Sequence, residues 1–481
     1  MHAAPFPSLI LQGGAIRAQG DFASAQAAFL DPDPATVARL RELLAAREAG
    51  VVAHFYMDPE LQGVLYACAW PHIHISDSLV MADRAVTMAQ RGARAIVVLG
   101  VDFMSENVRA MLDASGFSDI PVYRVAAPPI GCSLAESAES LAYAAYLRRA
   151  AATPRSLHVV YINTSLRTKA HAHRQVPTIT CTSSNVIQTV LQAAAQDPEI
   201  HIWFGPDTYM GENLRALFTG LQELDDAAIA RLHPAHDRAT IRRLLDRFHH
   251  FEQGMCVVHH MFGAEVVARI DEAYPDAHVT AHLEVPGEMF ALALRRRAVG
   301  RGVVGSTSDI LGYITGKIRE AGGGGPAHLR FVLGTEAGMV TAIVHQIRGL
   351  LREHPQVTAE IVFPVASGAI AATGDAALPV VPGVQGGEGC STAGGCATCP
   401  YMKMNSLDAL EDLLARLGET GAAAALRAYE PRKYAEVLDG RSVAEVGTLP
   451  ILHMRSFQRT GALSAELLED VRTRTPLRPL G

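Results

Sequence analysis

Three times along this chain an apolar, β-prone run ends in polar residues and gives way to a helix opened by a hydroxyl. The runs lie at 51–56 (VVAHFY), 157–162 (LHVVYI) and 277–284 (AHVTAHLE). The hydroxyls are Ser78, Ser183 and Ser306, the last followed by Thr307, at near-constant distances from His54, Tyr161 and His282. Each round is trailed by a cysteine: Cys132, then Cys256, then Cys399. Strands alternating with helices at such intervals build parallel sheets. A pattern recurring three times predicts three similar αβα domains with short sheets. The fold class expected is therefore α/β.

The boundaries follow from the same alternation. Residues 1–48 read as an arm and a helix, with Asp33 as its cap and Pro34 at its first position. The three α/β domains are expected at 49–135, 136–260 and 261–405. The second carries a charged helical insertion at about 219–252, and the third a Gly-rich loop at 365–395. Residues 406–481 read as a helical C-terminal segment.

Parallel sheets place ligands at the carboxyl ends of their strands, where His54, Tyr56, Tyr161, Asn163, His282 and Glu284 fall. A hydroxyl at a helix start adds a donor to free backbone N–H groups and suits an anion, although a serine there is often only a cap. Three such units facing a common axis would gather three anion-friendly helix starts and three thiolates. The stretch GEGCSTAGGCATCPYMKMN, from Gly387 to Asn405, holds Cys390, Cys396 and Cys399. Thiolates at this density suit a soft metal or an iron–sulfur cluster. Two other readings keep the same residues: a structural zinc held by the three clustered cysteines with His259 or His260, and a phosphosugar hydrolase whose cysteines are small core residues. Proximity in sequence favours the Cys390, Cys396, Cys399 trio as cluster ligands. The repeat favours one cysteine per round, Cys132, Cys256 and Cys399, and this is the expected set.

A net charge of −7 leaves no basic footprint for nucleic acid. No apolar run approaches the length of a membrane span. Seven cysteines, an odd number scattered along the chain, do not form a disulfide framework and suggest a reducing interior. With no secretory pattern in the first thirty residues, a cytoplasmic location is expected.

The motifs HFYMDPELQGV, SDSLVMA, GVDFMSE, GCSLAE, YINTS, CTSSN, CVVHHMF, HLEVP, GSTS, LGTEAGM and CPYMKMN run in this order from about residue 51 to 405. Together they resemble the quinolinate synthases, iron–sulfur enzymes of NAD biosynthesis. HLEV stands where the family more often has His-Pro-Glu-Cys, and the Gly-rich approach to Cys399 resembles the longer, plant-like branch. The resemblance implies three α/β domains about a pseudo-threefold axis with a [4Fe-4S] cluster at the centre. It also implies condensation of two small anions, iminoaspartate and dihydroxyacetone phosphate. On that basis His54, Ser78, Tyr161, Asn163, Ser183, His259, His282, Glu284, Ser306 and Thr307 are assigned to substrate binding. Glu284 is the expected general base, with Tyr56, Tyr161 and His54 beside it. Cys132, Cys256 and Cys399 would hold three irons and leave one open. A homo-oligomer and a link to an iminoaspartate-producing enzyme are compatible with this reading.

Overall fold

The computed structural model describes residues 5–364, 399–419, 421–438 and 440–477. The chain forms two compact units. One comprises Met1–Val101, Ser115–Ile130 and Val257–Glu430; the other comprises Asp102–Ala114, Gly131–Cys256 and Pro431–Gly481.

The first unit begins with a hairpin, β1 (Ser8–Gln12) and β2 (Ala15–Gln19), turned at Gly13-Gly14. Both glycines have positive φ, 55° and 99°, as a tight hairpin turn requires. The expected arm is therefore a pair of strands and a short helix, Asp21–Ala28. The helix at Pro34–Arg47 is as read, with the Asp33 carboxylate accepting the N–H of Thr36 at 2.9 Å. A four-stranded parallel sheet follows, from β3 (Ala49–His54), β4 (Ile73–Ser76), β5 (Ala95–Leu99) and β6 (Val122–Arg124), in the order β4-β3-β5-β6.

The second unit repeats this plan with β7 (Ser156–Tyr161), β8 (Thr178–Cys181), β9 (His201–Gly205) and β10 (Phe248–His250), in the order β8-β7-β9-β10. The expected helical insertion is corrected here. Helices Asp226–Leu232 and Arg238–Arg247 are present, but the segment ends in β10, paired parallel to β9. Helix Asp102–Ala114 belongs to this second unit, as do the helices Val443–Thr460 and Ala465–Thr473. Val443–Thr460 packs along Leu166–Gln175.

The third sheet returns to the first unit. β11 (His278–His282), β12 (Gly302–Gly305), β13 (Ala327–Gly334) and β14 (Val357–Val362) take the order β12-β11-β13-β14. The hairpin extends this sheet, β1 pairing antiparallel to β14. Three parallel sheets thus share one strand order, flanked by helices, as the repeat predicts. The first and third rounds lie in one unit because helix Met339–Glu353 packs on helix Pro59–Ala67. The Gly-rich loop, with Cys390 and Cys396, lies outside the described residues.

Candidate active site

The repeat is exact at the backbone. In each round the last residue of the first strand pairs with the last residue of the second: His54 with Ser76, Tyr161 with Cys181, His282 with Gly305. The next N–H along, from Phe55, Ile162 or Leu283, donates to the carbonyl of Ser76, Cys181 or Gly305 at 3.0, 2.8 and 3.2 Å. Two residues beyond those carbonyls stand Ser78, Ser183 and Thr307. In register, Thr307 rather than Ser306 is the third member of the set.

The three helix starts differ in what they do with their hydroxyls. Ser78 is the first residue of Ser78–Gln90, and the cap is Asp77, which accepts the N–H groups of Leu79 and Val80. Ser183 lies in the turn before Val186–Gln196; there Asn185 accepts the Thr182 N–H and does not cap the helix. Ser306 is a true cap. Its Oγ donates to Asp309 at 2.7 Å and accepts the Asp309 N–H at 3.2 Å, forming a capping box.

In the first unit the strand ends of β3, β11 and β13 meet. His54, His259, His282, Glu284 and Glu336 are all buried. Nδ1 of His259 lies 3.0 Å from a Glu284 oxygen. Its ring stacks on that of His282 with centroids 5.1 Å apart, and the Tyr56 ring meets both His54 and His259 edge-on. The hydroxyl of Tyr56 is 3.2 Å from Thr335 Oγ1. Two imidazoles share one device: His54 Nδ1 accepts the N–H of Tyr56 at 3.1 Å, and His282 Nδ1 accepts that of Glu284 at 3.4 Å. This assigns the neutral ring's proton to Nε2 in both. Burial lowers the His54 pKa to about 3 and that of His282 to about 4, although the Glu284 carboxylate pulls both upward. Both are therefore neutral hydrogen-bond donors near neutral pH.

Glu336 stands two residues past the end of β13, as Glu284 stands two past the end of β11. That parallel spacing was the signal for it, and sequence reasoning passed over it. Burial holds its carboxyl well above the usual range, against the Cys399 N–H that favours the charged form, and Glu284 adds to the rise. Gly338 explains part of the LGTEAGM motif. A Cβ there would sit 2.7 Å from the Tyr56 Cα, so only glycine lets the two segments touch.

The second unit places Tyr161 buried and Asn163 half-buried just beyond β7. What holds that turn is Lys169, fully buried, whose Nζ donates to the carbonyls of Ile162 and Thr164. Glu106, also buried, accepts the N–H of Leu166 at 2.7 Å. Burial lowers the lysine and raises the acid, while each favours the other's charge. Lys169 shares a helix face with Leu166 and Ala172, and a lone lysine on an apolar face was the available signal.

The cysteines divide by exposure. Cys68 and Cys181 are buried, and burial pushes the Cys68 thiol up to about 11 and that of Cys181 further. Cys132, Cys256 and Cys399 are half-buried and reduced, which suits thiolate ligands better. Within the second unit the turns carrying Cys132 and Cys256 are tied together, Ser133 Oγ donating to the Met255 carbonyl at 2.9 Å. In the first unit the CPYMKMN segment is tied to the end of β5, Asn405 Oδ1 accepting the Gly100 N–H at 3.0 Å. Among the described residues, no helix is long and apolar enough to cross a membrane.

Parallel sheets with buried imidazoles, carboxylates and hydroxyls at their strand ends define an α/β enzyme acting on small polar substrates. Residues 38–424 match the family described as Quinolinate synthetase A protein. The chain is 52% identical to a chloroplastic quinolinate synthase of Nicotiana tabacum over 98% of its length, and 54% identical to that of Arabidopsis thaliana over 97%. It spans 67% of each of those proteins. A quinolinate synthase of Thermosynechococcus vestitus is 27% identical over 78% of this chain and 85% of its own. The chain belongs to the quinolinate synthase family, enzymes of NAD biosynthesis, and sits with the plant-like branch. The cytoplasmic expectation is corrected by these relatives, since the plant proteins are named chloroplastic. Reduced cysteines fit either compartment, so composition could not tell them apart.

Proposed function

We propose that this chain condenses iminoaspartate with dihydroxyacetone phosphate to quinolinate, with loss of phosphate and water, using a [4Fe-4S] cluster held by Cys132, Cys256 and Cys399. The observation that carries the reading is the buried Glu284 carboxylate set against His259 at the ends of parallel strands. A carboxylate so placed is a general base within reach of a substrate bound over the strand ends.

The chain's own residues account for binding and proton transfer. Neutral His54 and His282 present Nε2–H donors to substrate carboxylates or phosphate. Ser78, Ser183 and Thr307 add hydroxyls at equivalent places, and Ser306 contributes through the helix it caps. Asn163 orients a carbonyl or carboxylate from a turn fixed by Lys169. Tyr56 and Tyr161 carry protons, Tyr56 with its hydroxyl aligned by Thr335. The half-buried, reduced thiols fit a cluster with three protein ligands, and such a cluster supplies an open iron as a Lewis acid for dehydration.

Colour and iron tell this reading from a structural zinc or a metal-free hydrolase. Protein purified without oxygen should be brown, with iron and sulfide. Single Cys132→Ala, Cys256→Ala and Cys399→Ala variants should be colourless and inactive, while Cys68→Ala, Cys390→Ala and Cys396→Ala stay brown. A brown, active Cys132→Ala protein would overturn the ligand set.

A further inference from the structure

We propose that Glu336 is a positioning residue that fixes the backbone of Cys399 and so sets where its thiolate points; this rests on Cys399 being a cluster ligand. The carboxyl of Glu336 accepts the backbone N–H of Cys399. The Cys399 carbonyl in turn accepts the N–H of Lys403 at 3.3 Å. The cysteine is thus held on both sides of its Cα, with the Asn405–Gly100 bond anchoring the far end of the segment.

Glu336 is itself immobilised. It is 1% exposed. The preceding residue, Thr335, contacts the Tyr56 hydroxyl, and Gly338 two residues on lies against the Tyr56 backbone. Burying a carboxyl is costly unless its hydrogen bonds are met, and an apolar side chain would fill the space without that cost. What the carboxyl adds is a rigid acceptor for one N–H, which a hydrophobic residue cannot supply. Thr335 and Glu336 therefore hold Tyr56 and Cys399 from one strand end. Outer groups that orient a metal ligand typically govern roughly 10–100-fold in metal affinity.

Three variants separate the hydrogen bond from the carboxyl group as such and from bulk. Glu336→Gln keeps an acceptor oxygen at the same reach, Glu336→Asp keeps the carboxyl but falls one methylene short, and Glu336→Leu keeps the bulk alone. Iron and sulfide per chain, and the decay of visible absorbance under a chelator, are read on anaerobically reconstituted protein. Folding is checked by circular dichroism. The Gln variant should match the parent, while the Asp and Leu variants should lose the cluster roughly 10–100-fold faster. Parent-like decay in the Asp variant, or a Gln variant as depleted as it, would overturn the proposal even with Cys399→Ala iron-free. Cys399→Ala protein that keeps its full iron would instead remove the ligand assignment, and this inference with it. Should the Leu variant fail to fold, the Gln and Asp pair decides alone.

Discussion

Beyond β11 the chain buries a carboxylate among imidazoles, whereas beyond β7 it buries an ammonium against two backbone carbonyls. The strands that carry them have the same sheet order and the same strand-end hydrogen bond. Glu284 lies 3.0 Å from His259, with the neutral His282 ring and the buried Glu336 carboxyl also near it. Lys169 points its charge at Ile162 and Thr164, and so holds the turn that presents Asn163. One backbone plan thus carries a buried carboxylate in one unit and a buried ammonium in the other.

The largest expected difference lies in what breaks when each buried charge is removed. Glu284→Gln should lower turnover by roughly 10²–10⁴-fold, as loss of a general base does, with the melting temperature little changed. Lys169→Met should act mainly on stability. It strands the carbonyls of Ile162 and Thr164 and leaves Glu106 without its buried cation, a loss of about 3–5 kcal/mol in denaturant unfolding. If Lys169→Met left stability intact and only raised KM, the lysine would belong to the site rather than the scaffold.

Acid should expose both regions together. His54 and His282 in the first unit and His158 in the second have pKa values lowered by burial to about 3, 4 and 3. The unfolded chain binds protons near pH 6.5, so it holds more protons than the native state below that pH. Stability is therefore complete above about pH 6.5 and falls as pH drops towards 4, by up to ~1.4 kcal/mol per histidine per pH unit. Unfolding curves between pH 7 and pH 5 measure the slope, and His158→Gln should flatten it.

The smallest effect separates hydroxyls that cap from hydroxyls that face a ligand. Ser306→Ala should cost about 1 kcal/mol of stability through its capping box. Ser183→Ala and Thr307→Val should leave stability nearly unchanged and raise KM for the anionic substrates. Equal KM values in both variants would reduce these hydroxyls to local structure.

Much of this could be read from residues alone, because β3, β7 and β11 are apolar runs with polar ends, and Asp33-Pro34 signals a helix start. β4, β8 and β10 escaped because they have only four, four and three residues. Such runs are too short to show a period, and β10 follows directly on a charged helix. Their strand character comes from pairing beside a longer neighbour. The hairpin escaped although its signal, two glycines between β-prone runs, was present at Gly13 and Gly14. The strand-end positions of His54, Tyr161 and His282 were legible in the sequence. Lys169, Glu106 and Glu336 were passed over, because a charged side chain reads as solvent-facing until tertiary burial places it inside.

The hairpin has a bearing on how the protein is made. β1 pairs residue by residue with β14, Ser8 opposite Val362, so its partner lies near the far end of the third round. On a ribosome adding about 5–20 residues per second, β1 emerges on the order of half a minute before β14 exists. Throughout that interval Leu9 and Leu11, which end fully covered, have no sheet to join. Synthesis of this chain therefore includes an interval set by its topology, in which β1 has its hairpin partner β2 but not yet β14.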